Sequence, residues 1–212
     1  MFMKLVIATP SPFARKVRVA LREKNIEFNE VVDVPWNKGT ITKNFNPLGK
    51  IPILIEENKE PLFDSKVIVQ YLDHINEAQL MYPKDPQDNI SARLIESVAD
   101  GVCDAIVLVF LENSRNETLR SNDWVQRQEK KIYEGTKYLS DHLGNKKYFV
   151  GGHFNIADVC AFSCLEYLDL RFIKFNWRTK YPNLEKYWVI HKDRPSFLNT
   201  KPQVQTIEPL VD

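Results

Sequence analysis

The sequence predicts a small α/β unit followed by an all-helical one, and three observations carry that expectation. Up to about residue 76, short apolar runs of strand length alternate with stretches of helical period. Residues 77–87 lose both patterns and carry Pro83 and Pro86. From residue 88 onward every strong signal has the helical period. The expected organisation is therefore an α/β unit over 1–76, a linker over 77–87 and a helical bundle over 88–212.

Leu5 to Ala8 is a continuous apolar run ending at Thr9-Pro10, which reads as a buried strand. After Ser11-Pro12 the period changes, with Phe13, Val17, Ala20 and Leu21 at helical spacing until Asn25. Phe28 to Val32 reads as a second strand, so the chain opens as a βαβ unit. Polar residues dominate from Asp33 to Asn46, and Pro47-Leu48-Gly49-Lys50 turns the chain into the apolar run Ile51 to Ile55. Pro52 belongs at the head or the edge of that strand, because it has no N–H for a ladder. Leu62-Phe63 pairs with it as a hairpin across the polar turn Glu56 to Glu60. Asp64 then starts a helix with Val67, Ile68, Tyr71, Leu72 and Ile75 on one face, giving βαβ and then ββα.

Beyond the linker, Leu94 to Phe110 keeps one apolar stripe through a long helix, and Val125, Ile132, Leu139 and Leu143 trace another. Ile156 to Leu168 is apolar nearly all round, the pattern of a buried central helix. Pro182 opens one more, with Leu184, Tyr187, Trp188 and His191.

Composition narrows the function. The 212 residues are 43% hydrophobic and 27% charged, enough for a core, and the net charge of +1 offers no reason to expect a nucleic-acid or membrane surface. Cys103, Cys160 and Cys164 are odd in number and form no C-x-x-C pair, which argues against disulfides or thiolate zinc and for a reducing cytoplasm. The four histidines are scattered with no metal spacing, so no metal is expected. The apolar run after Met1 is too short for a signal peptide, and no stretch reaches membrane-span length.

The chemistry concentrates at Ser11-Pro12-Phe13-Ala14. By itself the pair is a helix N-cap followed by proline at the first helical position. In thioredoxin-like folds this turn after the first strand carries a C-x-x-C pair, whose positions here hold Ser11 and Ala14, so dithiol redox chemistry is impossible. A hydroxyl and a positively polarised helix end remain, and together they can stabilise the thiolate of a cosubstrate.

The runs S-P-F-A-R-K-V-R-V-A-L-R-E-K at Ser11 to Lys24, N-P-L-G-K-I-P-I-L at Asn46 to Leu54 and F-D-S-K-V-I-V-Q-Y-L at Phe63 to Leu72 resemble the three motifs of a glutathione S-transferase amino-terminal domain. A-D-G-V-C-D-A at Ala99 to Ala105 and N-I-A-D at Asn155 to Asp158 resemble that family's dimer-facing helix and its carboxy-terminal capping box, and bacterial serine-type members are the nearest pattern. The resemblance implies a thioredoxin-like domain with a helical bundle behind it, glutathione as cosubstrate, a homodimer, and conjugation to an electrophilic small molecule in detoxification. It makes Ser11 the sulfur-binding serine and Ile51-Pro52 the cis-proline dipeptide whose backbone pairs with the cysteinyl part. Asp64-Ser65 would hold the γ-glutamyl end, with Asp64 one methylene shorter than the usual Glu or Gln. Lys38, beside Asn37, would meet the glycine carboxylate. Asp100 corresponds to an acidic residue that reaches the neighbouring subunit's glutathione in some classes, against a plain reading as a solvated or capping residue. Arg15, Lys16 and Arg18 read as a solvated basic face from which Arg15 could steer an anionic tripeptide, and Trp36, Phe110, Ser114 and Trp177 are candidates for the electrophile pocket. The rival function is a non-catalytic glutathione-binding or interaction protein on the same fold.

Overall fold

A computed structural model of the chain describes residues 3–208, so the expected domain limits at 1 and 212 lie outside the described residues. In chain order the first elements are β1 (Met3–Ile7), α1 (Pro12–Glu23), β2 (Asn29–Val32), β3 (Ile53–Glu56) and α2 (Ser65–Ile75). The helices α3 (Pro86–Asn113), α4 (Asn122–Leu143), α5 (Ile156–Arg171), α6 (Trp177–Lys180), α7 (Pro182–His191) and α8 (Pro195–Leu198) follow. The chain divides into two compact units, one running up to Tyr82 and resuming from Arg194, the other Pro83–Asp193.

In the first unit β1 is the middle strand of a mixed three-stranded sheet ordered β2-β1-β3, parallel to β2 and antiparallel to β3. Leu5, Val6 and Ile7 are fully buried, as a strand covered on both faces requires. The helix α1 is the right length for a crossover between parallel strands. It packs against α2, and Ala14, Val17, Ala20 and Leu21 of α1 and Ile68, Val69 and Leu72 of α2 are all fully buried. The expected strand at Leu62-Phe63 is reduced to a single bridge, Leu62 to Leu54, because the chain turns directly into α2.

Two polar clasps set the limits of this unit. Lys24 Nζ is buried and donates to Asp73 Oδ1 at 2.8 Å and to the carbonyls of Asn76 and Gln79 at 2.7 and 2.6 Å. Asp73 in turn accepts the N–H groups of Met81 and Tyr82. A buried ammonium and a buried carboxylate are tolerated only with such pairing, so the stretch through Tyr82, expected as linker, is docked.

The second clasp holds the segment from Arg194. Arg194 donates two hydrogen bonds to the Glu23 carboxylate at 2.6 and 2.5 Å, and Ser196 Oγ donates a third. Burial pushes the Glu23 carboxyl up, but these donors and Gln79 outweigh it and hold the group below its ordinary value. Arg15, 2% exposed, donates to Thr200 Oγ1 and to the Phe197 carbonyl. The second unit therefore ends at Asp193, not at 212 as the helical pattern suggests.

In the second unit α3 packs on α4 and α5. Helix α4 approaches α3 tightly at Gly135, where a Cβ would lie 2.3 Å from Val102 Cγ2. Helix α5 is buried without a break from Ile156 to Leu165. Its start is a capping box: Asn155 Oδ1 accepts from Ala157 N–H at 3.0 Å, and Asp158 Oδ2 accepts from Asn155 N–H at 3.1 Å. Asp158 Oδ1 also accepts from Phe149 N–H at 3.0 Å and Tyr187 Oη at 3.2 Å, which ties the loop before α5 to α7. None of the three cysteines forms a disulfide, and all three are buried. Among the described residues no helix is long and apolar enough to cross a membrane.

Candidate functional site

The sheet register gathers the sequence-predicted residues at one end of the first unit. The helix α1 leaves β1 at its carboxyl end, so Ser11 lies there. Val6 pairs with Ile53, which puts Ile51-Pro52 alongside the same end of β1. Leu62 bridges Leu54, so the chain running on to Asp64 and Ser65 heads for that end too, one position further out. Ile7 pairs with Val32, and Asp33 N–H donates to the Ile7 carbonyl at 2.8 Å, so the segment carrying Asn37 and Lys38 departs from it as well. In an open α/β sheet this is the end where ligands bind.

Ser11 is the N-cap of α1, in extended backbone, and is half-buried. Its Oγ accepts from Ala14 N–H at 3.1 Å, and its own N–H donates to the Ala8 carbonyl. Pro12 has no N–H, so the Oγ proton and the Phe13 N–H are the polar hydrogens left at this helix end without a partner among the described residues. The arrangement can donate to an anionic sulfur while the helix dipole stabilises its charge.

The Ile51-Pro52 peptide is cis, as the N-P-L-G-K-I-P motif predicts, and the Phe63-Asp64 peptide is cis as well. Asn46, buried, fixes the approach to Pro52 through hydrogen bonds from Nδ2 to the Lys50 carbonyl and from Leu48 N–H to Oδ1. The N–H and C=O of Ile51 have no backbone partner among the described residues, which leaves a short edge for an extended peptide. Asp64 caps α2 by accepting from Lys66 N–H at 2.8 Å and from Ser65 Oγ at 3.3 Å. Asp64 is exposed and Ser65 buried, so a carboxylate faces outward above the open first turn of a helix. Lys38 is exposed. Among the described residues no group of three His, Cys, Asp or Glu side chains is placed to hold a metal ion.

Comparison with known proteins identifies the family. Residues 10–75 match the model of the glutathione S-transferase amino-terminal domain, and residues 122–187 that of the carboxy-terminal domain. The chain is 36% identical to the uncharacterized GST-like protein YibF of Escherichia coli K12, covering 94% of this chain and 98% of that one. The chain belongs to the glutathione S-transferase family.

Solved glutathione S-transferases share the fold. One from Methylobacterium radiotolerans, in complex with glutathione sulfonate, superposes with a TM-score of 0.97 at 38% identity over 100% of both chains. Another from Methylobacillus flagellatus, with glutathione bound, gives 0.91 at 37% identity over 95% of this chain and 100% of that one.

Within this member of the family several side chains take other parts than their sequence suggests. Arg15 and Lys16 are buried at 2% and 1%, so they form no solvated face, and Arg15 anchors the Thr200 region. Arg18 pairs with Glu30 at 2.9 Å. Trp177 is buried and donates its indole N–H to Asp169, which makes it core and not pocket lining. Ser114 Oγ donates back to the Phe110 carbonyl at the end of α3, and Phe110 lies under the Arg171 guanidinium at 4.2 Å. Trp36 stays 42% exposed, and Asp100 is half-buried in α3.

One organising residue escapes the sequence reading. Asp33 Oδ2 accepts from Thr40 Oγ1 at 2.6 Å, Thr42 Oγ1 at 2.6 Å and Thr42 N–H at 3.0 Å, closing the loop that presents Asn37 and Lys38. Burial pushes its carboxyl up, yet these donors hold it below its ordinary value. A lone Asp seven and nine residues before two threonines has no periodic signature.

Proposed function

We propose that the protein is a glutathione transferase that activates the thiol of glutathione and joins it to an electrophilic small molecule. The observation that carries this reading is the gathering of Ser11, Ile51-Pro52 and Asp64-Ser65 at one end of the sheet. Relatives crystallised with glutathione or its sulfonate support it.

In this reading the cysteinyl backbone pairs with the N–H and C=O of Ile51. The γ-glutamyl carboxylate takes the open N–H groups at the start of α2, Asp64 neutralises the ammonium, and Lys38 meets the glycine carboxylate. Ser11 Oγ–H and the α1 N-terminus stabilise the thiolate, whose proton leaves to solvent. The sulfur lone pair then forms a bond to carbon, and either a leaving group departs or a double bond accepts the electron pair. Conjugation of this kind serves detoxification, and three cysteines outside any disulfide suit a reducing cytoplasm. The protein works as a homodimer, an assignment supported by the exposed stripe Ile90, Leu94 and Leu108 along α3.

Retention on immobilised glutathione followed by an assay with a generic aryl halide tests the reading. Binding with turnover is expected, whereas no retention overturns the reading and retention without turnover of any electrophile class favours the non-catalytic alternative. Sedimentation should give twice the 24.8 kDa chain mass, and a 24.8 kDa species at micromolar concentration would exclude the dimer.

A further inference from the structure

The segment that follows α8 does not trail into solvent. It runs beside the active-site turn and then along the loop after β2. Gln203 N–H donates to the Thr9 carbonyl at 3.3 Å, and Thr9 Oγ1 donates to the Gln203 carbonyl at 3.2 Å, two residues before Ser11. Gln205 Nε2 then reaches the Asp33 carbonyl at 3.4 Å. At the end of this path Glu208 is held at two points: its N–H donates to Asn37 Oδ1 at 3.0 Å, and its carboxylate Oε2 accepts from Lys38 N–H at 3.0 Å.

We propose that Glu208 is a built-in competitor for the acidic end of the peptide ligand, occupying the carboxylate-accepting position at Asn37-Lys38 until ligand displaces it. The inference rests on the glutathione reading above, in which the glycine carboxylate approaches Lys38.

Three features make Glu208 a competitor and not a mere surface contact. Its carboxylate satisfies the backbone donor of the very residue whose side chain supplies the cation, so a second carboxylate arriving there meets a filled N–H and a like charge. The path through Thr9 and Asp33 fixes the register, so the acid is delivered to this position. The segment is rooted by Arg194 on Glu23 and by Thr200 under Arg15, which keeps the acid at high effective concentration without a strong contact of its own. The Glu208 contacts are exposed, and exposed charged contacts are weak. Displacement is therefore easy, and the device tunes affinity without blocking the site. It discriminates between ligands as well, since only those with an acid at that end must displace it.

The test is calorimetric titration of the full-length protein with reduced glutathione and with γ-glutamylcysteine, which lacks the glycine carboxylate. The variants are Glu208→Gln, Glu208→Ala and, as a charge control beyond the far end of α2, Glu77→Gln. Both Glu208 variants should bind glutathione roughly two- to fivefold more tightly than the parent, the span of one exposed charged contact. Their affinity for γ-glutamylcysteine should be unchanged, and Glu77→Gln should change neither. Equal or weaker glutathione binding by the Glu208 variants overturns the proposal, because the segment would then be a support for the loop. Equal tightening for both peptides overturns it too. If the parent binds neither peptide, the glutathione reading falls first and the competitor with it. Parent binding with no difference among variants removes the competitor alone.

Discussion

At the start of α1, Ser11 accepts one N–H, from Ala14, and stays half-buried, with its hydroxyl proton and the Phe13 N–H uncommitted among the described residues. At the start of α5, Asn155 and Asp158 are fully buried and spend their acceptors on Ala157, Asn155, Phe149 and Tyr187. Both ends use a short polar cap before an apolar helix, and both carry the positive pole of a helix dipole. The second closes on the protein itself and fixes packing. The first leaves a hydroxyl and an N–H without a partner among the described residues, which is what an anionic ligand needs. A capping residue thus reads as structural or functional according to how many donors it leaves over, a quantity the sequence does not display.

The largest effect expected from this contrast is at the closed end. Asp158→Ala strips the acceptor from three buried donors and should cost about 3 kcal/mol or more of stability, since buried donors left without partners carry their desolvation cost. Urea denaturation measures it, and a loss under about 1 kcal/mol would erase the distinction between the two caps.

Ser11→Ala should behave in the opposite way. Loss of the cap costs about 1 kcal/mol of stability, while loss of one hydrogen bond to a thiolate lowers conjugation roughly ten- to hundredfold. The pH profile of conjugation should shift upward as the bound thiol becomes harder to ionise. An unchanged rate and profile would make Ser11 a cap of the same kind as Asn155.

The other end of α1 offers an intermediate case, with Glu23 held by Arg194 and Ser196. Because the folded carboxyl titrates below its ordinary value, its contribution is present above that ordinary value, about pH 4.5, and is lost as pH falls through the depressed one. Arg194→Gln should therefore lower stability by about 1 to 2 kcal/mol at pH 7, and the difference from the parent should narrow below about pH 4.5. Melting curves across that range check it; a difference that widens toward acid would have the wrong sign.

Asp64→Asn gives the smallest effect, because Asn caps a helix nearly as well as Asp and stability should move by only a few tenths of a kcal/mol. Affinity for glutathione should still fall, by up to about fivefold, if the outward carboxylate meets the ammonium. Calorimetric titration separates the two roles.

Much of this was legible in the chain itself. Ser11-Pro12 marks the start of α1 to the residue, because a cap followed by proline at the first position has a local cause. The capping box at Asn155 and Asp158 and the cis Ile51-Pro52 peptide are likewise local patterns. What the chain hides is long-range polar pairing. Arg15 sits on a polar stretch of helix and looks solvated, yet its partners lie at Phe197 and Thr200, 182 and 185 positions away. The return of the chain from Arg194 to the first unit has no periodicity to announce it, and the Asn37-Glu208 contact spans 171 positions. Leu62-Phe63 fails as a strand for a different reason, since a single bridged residue leaves too little ladder to extend before α2 begins.

The Glu23–Arg194 clasp also bears on the order of synthesis. A ribosome releases β1, α1, β2, β3 and α2 early, but the guanidinium that closes on Glu23 and the threonine that meets Arg15 emerge only after all of Pro83–Asp193 has been made. The first unit is thus begun first and finished last. A nascent chain stalled at Tyr82 would hold Glu23 with Gln79 but without Arg194 and Ser196, and Arg15 without Thr200 and the Phe197 carbonyl.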